Sequence, residues 1–225
     1  MKTSTKTLLI LFSVVLLVVA SVMGTLAYLT DTESATNTFT VGKVDIKLDE
    51  AKVGEDGKAI EDADRVTENS YHLLPGGVYD KDPTVTVLKG SDTSYIRAIV
   101  TLTFDHELTA ETLAMNLDTI FTGYNQTNWP RKSRVAKTVT EGSGDTEKKY
   151  TVITYEYRYK ETVAAPTADV KLPALFTKVE IPGTWTNADM AAVGNFTIGV
   201  EAHAIQATGF DDADAAWAAF AAQNP

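Results

Sequence analysis

The chain has 225 residues, no cysteine, and 30 acidic against 20 basic side chains, a formal charge of −10. That length can bury an ample core as one domain, and without thiols it must be held by packing and hydrogen bonds. The acidic balance argues against nucleic acid, whose phosphates call for a basic stripe, and against electrostatic docking on anionic lipid.

The first element is a leader. Lys2 and Lys6 precede an uncharged apolar run over residues 8–23, which leads into Gly24-Thr25-Leu26-Ala27-Tyr28. A positive start, an apolar middle and small side chains at Thr25 and Ala27 describe an export signal helix over residues 1–27. Cleavage after Ala27 would leave Tyr28 at the new terminus, and the membrane would be met only through this segment before the cut. The alternative is an uncleaved anchor, because the 22 residues 8–29 carry no charge and reach the length of a spanning helix. Removal of residues 1–27 takes away two lysines and no acid, leaving 198 residues with 18 basic and 30 acidic side chains, a charge of −12.

Residues 28–225 read as a single β domain. Residues 28–38 are polar and are expected to be flexible, with 28–37 unpaired. The next stretch breaks phase: Phe39 and Val41 are apolar at odd positions, Val44, Ile46 and Leu48 at even ones. One extra residue near Gly42, a β-bulge, would realign them; otherwise two strands serve two sheets. Residues 49–70 are polar and acidic without a clean period, and are expected to form a long mobile loop.

Strict alternation then marks the main strands. In residues 95–104, Ile96, Ala98, Val100, Leu102 and Phe104 share one face. Residues 196–206 repeat the pattern, with His203 and Glu201 on the outward face. Residues 128–140 and 148–160 are expected to form a hairpin about Glu141-Gly142-Ser143-Gly144-Asp145, with Pro130 marking an edge position. Shorter strands are expected at 84–88 and 175–181. Thr109 caps a helix placing Leu113, Leu117, Ile120 and Phe121 on one face, and Thr186 with Asp189 has capping-box spacing. An alanine-rich helix over 211–222 starts on Asp211, Asp212 and Asp214 and docks through Ala213, Trp217 and Phe220. Many short strands and few helices point to a mainly all-β, two-sheet antiparallel sandwich.

Catalytic chemistry is poorly supplied. His72, His106 and His203 form no zinc-binding pair at helical spacing, and neighbours such as Asp105-His106-Glu107 point apart in a strand. Gly142-Ser143-Gly144 is too short for a nucleophile elbow. Acid clusters at Asp31/Glu33, Asp62/Asp64 and Asp211/Asp212/Asp214 lack the spacing of a calcium loop and are explained by capping and solvation. Tyr155, Tyr157 and Tyr159 offer a sugar platform, but aromatics at strand spacing more often pack in a sheet core. The sequence therefore implies no catalytic residue, metal or cofactor.

Residues 24–31 and 34–39, Gly24-Thr25-Leu26-Ala27-Tyr28-Leu29-Thr30-Asp31 and Ser34-Ala35-Thr36-Asn37-Thr38-Phe39, resemble the signal segment of the TasA and camelysin family. Those are exported bacterial proteins processed by a dedicated signal peptidase, and TasA is a biofilm-matrix fibre subunit. Leu74-Pro75-Gly76-Gly77 with Lys81-Asp82-Pro83, Ile181-Pro182-Gly183, Thr186-Asn187-Ala188-Asp189-Met190 and Ala204-Ile205-Gln206-Ala207 are similar more loosely. The resemblance implies a jelly-roll sandwich and a secreted, cell-surface or matrix location. Its implied partners are the signal peptidase, further copies of the chain and an accessory or anchor matrix protein. Camelysin-type members are described as metalloproteases, but the recognised protease motif is missing here.

The residues themselves point to the mature N-terminus as the feature with most functional promise. A free extended segment carrying Thr36, Thr38, Phe39 and Val41 can add to an open sheet edge of a neighbouring copy. Such a head-to-tail contact does not close and so grows a filament. The alternative pairs that segment within its own subunit, leaving a monomer, and a surface adhesin or carbohydrate-binding module is a further rival.

Overall fold

The computed structural model describes residues 30–33 and 44–224. The leader, the junction residues Thr25, Ala27 and Tyr28, and the donor residues Thr36, Thr38, Phe39 and Val41 lie outside them. Eleven strands follow in order: β1 (Thr30–Glu33), β2 (Ile46–Asp49), β3 (Val78–Asp80), β4 (Thr84–Val87), β5 (Ser94–Phe104), β6 (Phe121–Thr122), β7 (Arg131–Glu141), β8 (Lys148–Arg158), β9 (Val170–Lys171), β10 (Lys178–Glu180) and β11 (Phe196–Gln206). Three helices interrupt them: α1 (Ala110–Leu113), α2 (Asn187–Val193) and α3 (Ala213–Gln223).

The molecule is mainly β, and every strand pairing is antiparallel. One five-stranded sheet runs β1-β11-β5-β8-β7, and two smaller sheets run β3-β10-β6 and β2-β4-β9. Two sheets were expected and three are present. The break falls between β3 and β4, where Lys81-Asp82-Pro83 intervenes and Pro83 has no N–H to continue a ladder.

The large sheet follows its side-chain alternation. Along β5 every second residue from Ser94 to Phe104 is buried. Register then aligns the inward side chains into rows, such as Ile198, Leu102, Ile153 and Ala136, or Val200, Val100, Tyr155 and Arg134. One contiguous core gathers the β5, β8 and β11 members of these rows with Ile46, Val85, Phe121 and Val179 from the smaller sheets, while Ala136 and Arg134 on β7 are exposed. Tyr155 and Tyr157 are fully buried members of it, so the tyrosine run is core and offers no platform. The 131–141/148–158 hairpin forms as expected, with Glu141 opposite Lys148. Gly142 sits at φ 81°, and a Cβ there would stand 2.6 Å from the Thr146 carbonyl oxygen, so the reversal needs glycine.

The helices correct some expectations. Thr109 accepts from the Thr112 amide and caps α1 as anticipated, but α1 lasts only four residues. Asn116 then turns left-handed at φ 53°, a conformation Asn tolerates better than most. Leu117–Ile120 forms a 3-10 turn, and Phe121 begins β6. The capping box of Thr186 and Asp189 starts α2. Asp212 caps α3, whose Trp217 and Phe220 pack with Ile205 on the outer face of the large sheet.

That docking changes the fate of His203. Expected as a surface partner of Glu201, it is buried beneath α3, with its ring stacked on Phe220 at 4.9 Å. Its Nδ1 accepts from Arg97 Nε at 2.9 Å, while Glu201 stands 3.7 Å from Nε2. Arg97 in turn lies over the Trp217 ring at 4.5 Å.

Residues 49–70 also differ from the long mobile loop expected there. Arg65 donates to Asp49, to Asp82 Oδ2 at 2.8 Å, to the Asp82 carbonyl at 3.0 Å and to Thr84 at 3.0 Å. Asn69 joins Glu50 and the Ala51 carbonyl, both at 2.9 Å, and Glu50 bridges to Val66. The segment lacks regular strands but is tied down by polar contacts made at long range in sequence.

Candidate assembly site

The site begins with a correction. Residues 28–37 were expected to be unpaired, yet Thr30–Glu33 forms β1 against β11, with Thr30 opposite Ile205 and Glu33 opposite Ala202. β1 therefore sits at the border of the large sheet rather than in its middle. Phe39, Val41 and Gly42, where the choice between a bulge and two separate strands falls, lie outside the described residues; β1, further upstream, belongs to the large sheet and β2 to a small one.

β1 covers only part of that border. β11 is eleven residues long and pairs with β5 throughout, while β1 meets residues 202–205 alone. Residues 196–201 have no strand on their other side among the described residues. Backbone N–H and C=O groups on such a free border are strong, unmatched hydrogen-bonding groups.

A slot accompanies the free border. Two adjoining hollows of about 240 and 340 Å³ share Glu68, Asn69, Lys81 and Ile198. Phe196, Ile198 and Val200 are only half-buried and line one wall. Leu48, Tyr71 and Leu73 face them and pack on the main core. An extended strand with alternating apolar side chains matches this shape: its backbone meets β11 and its side chains meet the slot.

The far wall is stiffened by charge. Lys81 Nζ stands 2.6 Å from Glu50 Oε2, and both side chains are buried. Beneath them Asp49 is pulled in two senses. Burial raises its pKa, but hydrogen bonds from Lys47 and Arg65 outweigh that and hold it below its ordinary value. Asp49 thus stays ionised at neutral pH.

Elsewhere, His106 Nδ1 and Asp105 Oδ1 meet at 2.7 Å, and His106 Nε2 reaches the Ala192 carbonyl at 3.1 Å. Asp105 and His106 were expected to point apart, but both turn toward the end of α2. The bond to Asp105 raises the His106 pKa. Among the described residues no three His, Asp or Glu side chains are grouped to hold a metal ion, and no helix is long and apolar enough to cross a membrane.

Sequence reasoning read Phe196, Ile198 and Val200 as ordinary inward residues and missed that the described residues leave them only half-buried. A signal was present. Four strands reach eleven residues, β5, β7, β8 and β11, and among the described residues no other strand of that length is present to cover either border of their sheet. No protein-family model, curated protein or solved structure matches the chain.

Proposed function

We propose that this is an exported, non-enzymatic subunit of an extracellular matrix fibre, joined head to tail by its mature N-terminal segment. The observation that carries the reading is the β11 border, where a four-residue strand of the chain's own covers residues 202–205 and, among the described residues, no strand covers 196–201 beside a slot with one apolar wall. The resemblance of residues 24–39 to the TasA and camelysin signal junction supports it, as does the jelly-roll sandwich that resemblance implies. The same resemblance makes a dedicated signal peptidase and an accessory or anchor matrix protein the expected partners, at the cell surface or in the matrix.

Because β1 already lies on β11, assembly is an exchange and not a simple addition. A donor strand arriving from a neighbour replaces four backbone pairings with identical ones, so that part is nearly neutral. Each such bond contributes about 1 kcal/mol net, which makes β1 easy to displace. If the donor keeps the register of β1, Phe39 comes opposite Phe196, and Thr36 and Thr38 opposite Gly199 and Thr197. Phe39 and Val41 then contribute about 1.5–3 kcal/mol each on leaving water. Every subunit donates at one place and accepts at another, so the contact propagates.

The test compares residues 28–225 with a version beginning near Thr40, both imaged by electron microscopy. Filaments from the first and monomers from the second are expected; monomers from both across pH and concentration would end the fibre reading. The camelysin-like protease reading would be promoted by chelator-sensitive cleavage of casein, and N-terminal sequencing of secreted material checks the cut after Ala27.

A further inference from the structure

The opposite border of the large sheet is built differently. Residues 131–160 hold eight basic and four acidic side chains, a charge of +4 inside a chain of −10, so the remaining residues carry −14. β7 is eleven residues long, is exposed along almost its whole length, and pairs only with β8 among the described residues. Lys132 and Lys137 are exposed there, and neither makes an ion pair or side-chain hydrogen bond among the described residues. Val135 is 55% exposed. A long basic border with an uncovered apolar side chain thus stands on a strongly acidic molecule.

We propose that β7 is a docking edge for an extended acidic segment of a partner protein, which adds beside it as a further strand. The unmatched backbone of eleven residues calls for another extended backbone. A polyanion without peptide groups would use the charges and leave that row unpaired. A second copy's β7 is disfavoured, because it carries the same charge, four basic side chains against one acid on each strand. Arg131 and Arg134 already meet Asp118, so the lysines Lys132 and Lys137 guard the edge against self-pairing and are the ones that select an acid.

Register defines the segment. Val135, Lys137 and Val139 point to one face, since they stand opposite Thr154, Val152 and Tyr150. Arg134 and Ala136 point to the other, opposite Tyr155 and Ile153. Read antiparallel from Val139 to Arg134, the matching segment is apolar, polar, acidic, small, apolar, acidic. The inference does not rest on the fibre reading, which uses the other border.

The experiment titrates the purified protein with a synthetic peptide containing Val-Thr-Glu-Ala-Val-Glu. Controls are the same peptide with both glutamates changed to glutamine, and a polyuronate as a polyanion lacking a peptide backbone. Binding is read by fluorescence anisotropy at about 0.01 M and about 0.15 M salt, and amide hydrogen exchange locates the site. The expected result is protection of β7 amides and weaker binding at the higher salt. Affinity should fall about tenfold or more for Lys137→Glu or for the glutamine peptide, and stay unchanged for Lys178→Glu on the smaller sheet. The proposal is overturned by no binding up to millimolar peptide, by binding indifferent to Lys137→Glu, by protection away from β7, or by a polyuronate binding as tightly as the peptide.

Discussion

The two borders of the large sheet show how one fold can finish its edges by opposite means. At β11 the chain lays its own β1 over residues 202–205, and beside the remainder lies a slot with an apolar wall of Phe196, Ile198 and Val200 and charged groups facing it. At β7 nothing is laid over the strand among the described residues, and charge alone stands guard. The first border suits a partner supplying apolar side chains; the second suits one supplying acids. Each also rests on a different support. The β11 slot is backed by the Arg65 fork, whereas the start of β7 is held by Asp118, which accepts from Arg131, from Arg134 at 3.0 Å and from the Tyr155 hydroxyl at 2.8 Å.

The largest effect is expected from Arg65→Ala. It removes the fork joining Asp49, Asp82 and Thr84 and leaves Asp49 buried with Lys47 at 2.8 Å as its remaining cationic partner. Breaking a buried pair costs about 3–5 kcal/mol, reduced here to about 2–4 kcal/mol because Lys47 stays. Thermal unfolding should shift down on the order of 10 °C. Limited proteolysis should cut within 49–70 before it cuts β7; protection of 49–70 equal to the parent's would refute the tie between Arg65 and the slot wall.

Asp118→Asn comes next and acts on the other border. Arg131 and Arg134 are partly solvated and need Asp118 less than Asp49 needs Arg65, so the cost is about 1–2 kcal/mol. Guanidinium titration measures it, and a loss above that of Arg65→Ala would reverse the ranking of the two supports. Hydrogen exchange should speed up at the start of β7 and stay unchanged at β11.

Acid sharpens the comparison less than substitution does, because it strikes both supports. Burial raises the Asp118 pKa, but hydrogen bonds from Tyr155, Arg131 and Arg134 outweigh it and leave the group below 3.8. Asp49 is lowered likewise. A depressed carboxylate contributes stability that is complete above its unfolded pKa and is lost as pH falls through the folded value. Unfolding midpoints should therefore hold from neutrality to about pH 4 and drop below it, with a shallower drop in both variants.

The smallest effect lies away from either border. His106 is raised above 6.5 by Asp105, so its contribution is complete below the unfolded pKa and disappears as pH rises through the folded one. His106→Gln should remove a slight decline in Tm between mildly acidic and mildly alkaline pH. A decline of the same size in that variant would assign it to another group.

Much of this architecture was readable before any coordinates. The runs around Val100, Tyr155 and Val200 alternate so regularly that strand, face and hairpin partner followed from side-chain period alone. Thr109, Thr186 and Asp212 marked helix starts because capping is a local hydrogen bond. The misreadings were of another kind. Arg65 reaches Asp82 and Thr84, and His203 disappears beneath Phe220; no local pattern in residues 49–70 or around 203 announces either partner. The candidate site was half legible: the segment before Val44 stood out as a donor, but the edge that could receive it did not.

Taken by itself, the amino-acid order determined which segments are strands, where helices begin, and which face of each strand avoids water. Those properties depend on neighbours within a few residues, through side-chain period, glycine in the 142–144 turn and capping oxygens. Only the tertiary structure decided that the remaining strands split into two small sheets, that β1 rests on β11, and that, among the described residues, no strand lies beside 196–201. Those outcomes depend on which strands meet across long stretches of chain, and a strand looks the same in sequence whether its border is paired or bare.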